Sequence, residues 1–503
     1  MLLLTGALTS KPYAFTSRPW ELRSVNSIDV LDGIGSNIRI DFKEAEIVRI
    51  LPSRQAEINE TWISDKIRFF YDGLKRQRLH LPYQKKNRSL KEVDWDETLT
   101  KLSSLFKVYS YEYGSSKIGL IAGPNLDLEA FYSIKDFASN FGFSNLGIDK
   151  FAQVNFDNPS AYKFQNQIQD LEKSDFCLLV GTNPRFEASI LNLRLRKIFK
   201  RGTLKLAAVG GSFDPTYPID FYGFSSTTLV AIAEGKHECC KALAKAKAPV
   251  IFYGWKIFER LDSKALSSLL SSIRNIFFQV FKKAISVNAL ATDSNVTGAL
   301  ELGIPCVKKS DAAKMKVIFG VGLENSDLIS DIEKTSSVSI FQACHGSERS
   351  KKADFLLPSL SFAEKSGVYF NTEGRPQKTQ KALSGPNLSK DDWKIFNVLF
   401  HYLSKSSPYS KKNHLRNKVS MFLPSSMFAN VWFAKNDGNL AHSFLFGKTR
   451  KGIILKSSFK LFLEDFFMSS SLCHSSKVMA KASSNLRLSA TNYKLLSYSF
   501  SKE

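Results

Sequence analysis

Gly181-Thr182-Asn183-Pro184-Arg185 is the stretch whose residue types come closest to a ligand site. Asn183 can cap a following helix, and Pro184 suits that helix's first position. A helix start behind a strand presents free N–H groups, which hold a phosphate or another anion. The same residues also serve as a plain turn from strand to helix, and that use is expected here. Asn371-Thr372-Glu373-Gly374-Arg375 is a second candidate. Gly374 would supply a backbone angle that a Cβ resists. Glu373 and Arg375 could form a buried pair or face a cofactor, and structural use is again the expectation. Cys344-His345 carries two metal-ligand types with no second ligand pair nearby, so a buried turn is expected. The six cysteines are Cys177, Cys239, Cys240, Cys306, Cys344 and Cys473. None stands in a Cys-x-x-Cys pair, and the adjacent Cys239-Cys240 suits neither a tetrahedral metal site nor a cluster cradle. Free thiols in a reducing compartment are the simplest account. No Ser-His-Asp order, phosphate loop or carboxylate-pair motif stands out. No catalytic residue and no metal ligand is expected.

The elements that would position these turns follow from periodicity. Ser27–Leu31, Asn37–Asp41 and Glu46–Leu51 read as short strands around the turn signal Asp32-Gly33-Ile34-Gly35. Trp62 to Lys91 reads as helical and basic, and Asp94 is a candidate cap for a helix from Trp95. From Lys117 a strand–helix rhythm begins. Ile118–Ala122 is a strand, Asp127 can cap the next helix, and Gly142 stops it. Asp175–Val180, Leu204–Val209, Pro249–Tyr253, Lys316–Gly320 and Ser339–Gln342 are further strand-length runs. Strands alternating with helices argue a parallel sheet covered on both faces. Beyond about residue 400 the pattern weakens, although Phe459 to Met479 keeps an apolar helical spacing.

The chain has 503 residues, enough for two to four domains. No run of 18 apolar residues occurs, so no transmembrane helix is expected. The net charge is +23, and residues 401–503 hold 16 Lys or Arg against 4 Asp or Glu. A nucleic-acid patch would need a recognition motif, and none is present. Docking on acidic protein partners is the expectation.

Thr5-Gly6-Ala7-Leu8-Thr9-Ser10-Lys11-Pro12-Tyr13-Ala14-Phe15-Thr16 and Arg18-Pro19-Trp20-Glu21-Leu22 carry a resemblance. They resemble the start of the second half of the seventy-five-kilodalton subunit family of respiratory complex I. Ala353-Asp354-Phe355-Leu356-Leu357-Pro358 and Glu364 through Gln377 resemble a pattern found across the molybdopterin oxidoreductases. Cys344-His345-Gly346-Ser347 resembles a His-His-Gly-Asp stretch of the complex I subunits, with Cys344 and Ser347 departing from it. Asp391-Asp392-Trp393-Lys394 and Asp465 through Lys481 also resemble the complex I subunits, and the second of these is not shared by the catalytic molybdopterin enzymes.

The resemblance implies an α/β fold of molybdopterin-oxidoreductase-like parallel sheets flanked by helices. A cluster-less remnant of a small β-rich four-iron domain would occupy residues 1–60, the α/β core 61–400, and an irregular basic extension 401–503. Gly181, Asn183, Arg185, Asn371, Glu373 and Arg375 would be vestigial cofactor-binding positions. The implied role is structural, in the matrix arm of NADH:ubiquinone oxidoreductase. No cofactor is expected in this chain, with flavin and iron–sulfur clusters in partner chains. The implied partners are a separately encoded, cluster-bearing N-terminal half of the same subunit, the flavin-bearing subunit and the quinone-side hydrophilic subunits. Met1-Leu2-Leu3-Leu4 ahead of the resemblance is too short for a presequence, so none is expected. The expectation is a mitochondrial protein encoded in the organelle and held on the matrix side of the inner membrane. An active molybdopterin-dependent oxidoreductase is the rival reading.

Overall fold

A computed structural model describes residues 10–87, 89–150, 152, 159–282, 284–307, 314–323, 338–347, 350–404, 406–423, 454–459 and 465–487. Near the N-terminus β1 (Arg23–Ile28), β2 (Asn37–Lys43) and β3 (Glu46–Pro52) form an antiparallel sheet in that order. The strand expected over Ser27–Leu31 lies earlier. Asp29 and Asp32 bend the chain out of the ladder, their Oδ1 atoms accepting from the Leu31 and Ile34 amides at 2.8 and 3.0 Å.

Two larger sheets follow. One is formed by β4 (Tyr83–Lys86), β5 (Ser89–Glu92), β6 (Ile118–Ala122), β7 (Asn145–Ile148), β13 (Val317–Val321), β14 (Val338–Ala343) and β15 (Phe355–Pro358), in the order β5-β4-β15-β14-β13-β6-β7. From β15 to β7 it is parallel; β4 and β5 add as an antiparallel hairpin. The other contains β8 (Phe176–Val180), β9 (Lys205–Val209), β10 (Asp220–Gly223), β11 (Pro249–Gly254) and β12 (Ser286–Leu290), ordered β10-β9-β8-β11-β12 and parallel throughout. A hairpin of β16 (Val368–Phe370) and β17 (Pro376–Lys378) completes the strands described. Strands β6, β8, β11 and β13 are buried along their whole length, as expected for sheets covered on both faces.

The helix expected over Trp62–Lys91 does not form as one element. Ser64 caps a short helix, Asp65–Phe69, which runs into a 3-10 turn at Phe70–Lys75. The chain then becomes the β4–β5 hairpin, with Asn87 at φ +52° in its turn and Phe355 of β15 paired with Gln84. Sheet pairing outweighs the weak local helical tendency of the basic residues. Helix Leu128–Phe141 ends as expected at Gly142, which is left-handed at φ +70°.

The segment after residue 464 joins the opposite end of the chain. Leu472, Cys473 and Met479 share a hydrophobic cluster with Ile28, Ile38, Ile50 and Phe70, and Phe467 and Met468 pack against it. Asp72 accepts from the Lys477 and Val478 amides at 2.9 and 3.3 Å, and so caps the helix 477–487. Phe459 is buried in the main core. Leu461, Phe462 and Leu463 lie outside the described residues. Among the described residues no helix is long and apolar enough to cross a membrane.

Candidate functional site

Each parallel sheet has one point where the strand order reverses, and ligands of open α/β sheets bind there, beyond the strands' carboxyl ends. In the five-stranded sheet this point lies between β8 and β11; in the seven-stranded sheet, between β6 and β13. Both candidate turns can be judged against these two crevices.

Gly181–Arg185 sits at the first, directly after β8. Gly181 is left-handed at φ +56°. Asn183 caps as its sequence position implies, its Oδ1 accepting from the Arg185 amide at 3.1 Å. Glu187 closes the turn from the other side, accepting from the Thr182 hydroxyl at 2.6 Å and the Asn183 amide at 3.1 Å. The turn's polar groups are thus used on one another. Arg185 does not join them; it pairs with Asp214 at 2.8 Å on the surface. The helix that follows runs only from Pro184 to Glu187 before restarting at Ser189. We expect Asn183→Ala to cost about 1 kcal/mol, the usual worth of a lost cap, measured as a lower urea midpoint.

Asn371–Arg375 stands apart from that turn and fastens three segments. Asn371 Nδ2 donates to Ile34 O at 3.2 Å, and the Thr372 amide donates to Gly33 O at 2.8 Å. Both acceptors belong to the loop joining β1 and β2 of the small sheet. Glu373 Oε2 accepts from the Ile168 amide at 2.9 Å. Arg375 pairs with Glu57 and lies 3.6 Å from Glu373. Burial pushes the Glu373 carboxyl above its ordinary range, with Arg375 opposing. Gly374, at φ +77°, lets the turn close.

Beside the second crevice stands a cluster whose residues fall in stretches noted in the sequence but not singled out there as a site. Lys365 is buried between Asp127, at 3.1 Å, and Asp392, which it also contacts. Asp127 follows β6, and Asp392 accepts from Gln342 of β14 at 2.6 Å, so the cluster caps the carboxyl ends of this sheet. Lys412 reaches Asp391 at 2.9 Å, and Arg416 reaches the buried Glu129 at 2.7 Å. Burial alone would strip the Lys365 ammonium, but the Asp127 and Asp392 charges outweigh it and hold its pKa well above the ordinary lysine value. Burial and the Asp127 charge raise Glu129. Asp127 occupies the cap position of its helix without making a side-chain cap bond, because its carboxylate serves Lys365 instead.

Two further groups sit near the small sheet. Lys66 is buried, donating to Leu31 O at 2.7 Å and Ser469 Oγ at 3.1 Å. Burial, with each Asp opposed in part by Lys66, raises the pKa of both Asp29 and Asp32. His345 is buried, as the expected turn required, its Nε2 2.9 Å from Gly73 O and its Nδ1 3.1 Å from Cys344 Sγ. Burial holds its pKa down to about 4.

The comparisons with known proteins agree with this geometry. Residues 78–402 match the molybdopterin oxidoreductase family, and residues 22–72 match the NADH-ubiquinone oxidoreductase NDSU1/NuoG-like 4Fe-4S domain. Acetylene hydratase from Pelobacter acetylenicus superposes with a TM-score of 0.54 at 12% identity, covering 80% of this chain and 73% of that one. The architecture is therefore a molybdopterin oxidoreductase fold.

The particular relatives are narrower. The NADH-ubiquinone oxidoreductase 75 kDa subunit of Reclinomonas americana is 35% identical over 96% of this chain and 71% of its own length. The mitochondrial 78 kDa subunit of Candida albicans is 35% identical over 95% of this chain and 66% of its own. The mitochondrial NADH dehydrogenase [ubiquinone] iron-sulfur protein 1 of Solanum tuberosum is 34% identical over 96% and 64%. The chain belongs to this family of 75/78 kDa subunits of NADH-ubiquinone oxidoreductase, and it spans roughly two thirds of the relatives' length.

Proposed function

We propose that this chain is a structural, non-redox part of the matrix arm of NADH:ubiquinone oxidoreductase. One observation carries the reading: the segment matching a four-iron domain, residues 22–72, contains neither cysteine nor histidine. Such a cluster is held by four thiolates. The residues present do not fit it, since the small domain's polar interior is built from Asp29, Asp32 and Lys66. They do not fit a pterin cofactor either. The Lys365 cluster stands beside one switch point, at the carboxyl ends of β6 and β14, and Phe459 packs beside the other, against Gly181 and Gly210 beyond β8 and β9. Gly181, Asn183, Arg185, Asn371, Glu373 and Arg375 then serve the backbone and the joints between segments.

Under this reading electrons pass through flavin and iron–sulfur clusters in neighbouring parts of the complex. A cluster-bearing partner, the flavin-bearing subunit and the quinone-side hydrophilic subunits are the contacts it calls for. The mitochondrial matrix face of the inner membrane is the matching location. The remnant domain, the α/β core and the basic extension, divided near residues 60 and 400, are its working units. The test is iron, acid-labile sulfide and molybdenum analysis of the purified chain. We expect each to be far below one equivalent; a stoichiometric amount of any would overturn the proposal.

A further inference from the structure

The crevice beyond β8 and β9 is closed by a piece of the chain from more than two hundred residues away. Residues 454–459 lie across it, turning tightly where the Ser457 amide donates to Leu455 O at 2.8 Å. The Phe459 amide donates to Phe224 O at 2.9 Å, and Phe459 O accepts from the Gly211 amide at 3.3 Å. Ser458 forms an antiparallel bridge with Ser225. Arg260 donates to Ser458 O at 3.2 Å and to Leu455 O and Ser457 O at 3.4 Å. Asp262 holds that guanidinium at 2.7 and 2.8 Å, and also accepts from the Leu455 amide at 2.9 Å.

The aromatic ring is the anchor. Phe459 is 3% exposed, with the Arg260 guanidinium 5.1 Å from its ring centre. It fits because two glycines leave room. Gly181 and Gly210 have φ of +56° and +139°, and a Cβ on either would lie 3.2 or 3.4 Å from the Phe459 Cβ. This is peptide recognition in miniature: main-chain hydrogen bonds along a short segment, and one apolar side chain in a pocket.

We propose that the β8–β9 groove is a docking site for a short peptide segment anchored by a phenylalanine, and that its resident ligand is segment 454–459 of the same chain. A groove beside the sheet's switch point has become an internal binding site for this segment of the C-terminal extension. The groove's determinants are Gly181, Gly210, Ser226, Arg260 and Asp262. Ser226 contributes its hydroxyl to Leu455 O.

The test uses the full chain and site-resolved amide exchange. In Phe459→Ala the Gly211 amide should exchange at least about tenfold faster, while the Phe319 amide of β13 stays unchanged. Adding the hexapeptide Ile-Leu-Lys-Ser-Ser-Phe at about 1 mM should restore protection, as tethering is replaced by concentration. The same peptide ending in alanine should not. Ser226→Ala, which leaves the ring in place, should accelerate Gly211 in the same direction by a smaller factor, so the idea stays testable if the first variant fails to fold. Unchanged exchange at Gly211, acceleration spread equally over both sheets, or no response to the phenylalanine peptide would each overturn the proposal.

Discussion

Lys365→Met will destabilise the chain by about 3–5 kcal/mol, the cost of leaving a buried ion pair without one partner. The lysine is the cation shared by two carboxylates, Asp127 and Asp392, both only 1% exposed. Removing it strands both charges. Lys412 lies 3.9 Å from Asp127 and offers partial relief. The loss should appear as a lower urea midpoint and as faster exchange at the carboxyl ends of β6 and β14. Adding Asp392→Asn to Lys365→Met should recover part of it, because one stranded charge is then neutral. A loss below about 1 kcal/mol would match an exposed pair and would show that the cluster is solvated.

Arg78→Met should have a comparable effect. Arg78 and Glu364 form a two-pronged pair at 2.6 and 2.6 Å, with side chains 5% and 3% exposed. The same guanidinium donates to Cys344 O at 3.1 Å and Leu74 O at 3.3 Å. It therefore joins the end of the small domain to the seven-stranded sheet and to the turn before β16. Truncation leaves the Glu364 carboxylate with the Ser361 amide as its donor, and a loss of about 3–5 kcal/mol follows. Arg78→Lys should rescue poorly, since an ammonium cannot supply the paired fork. If the lysine variant matched the wild-type midpoint, the forked geometry would be irrelevant.

The parallel sheets were legible because burial on both faces writes itself into the sequence as runs such as Phe176–Val180 and Val317–Val321. The stop at Gly142 and the cap at Asn183 were legible for the same reason: backbone angle and hydrogen bonding act within a few residues. The hairpin at Tyr83–Glu92 was not, because its partner strand lies some 270 residues away in sequence. Asp127 reads as a cap, yet its carboxylate goes to Lys365 across 238 positions. The absence of cysteine and histidine from residues 22–72 is fully a property of the sequence, and it alone carries the non-redox reading. What stands in the crevices is not. Lys365 lies in a stretch that carries the resemblance and Phe459 in an apolar run, but their roles arise from which distant atoms close around them. Local chemistry thus fixed the elements and the missing cluster ligands. Burial, which depends on the whole fold, decided that charge would gather beside one switch point and a phenylalanine beside the other.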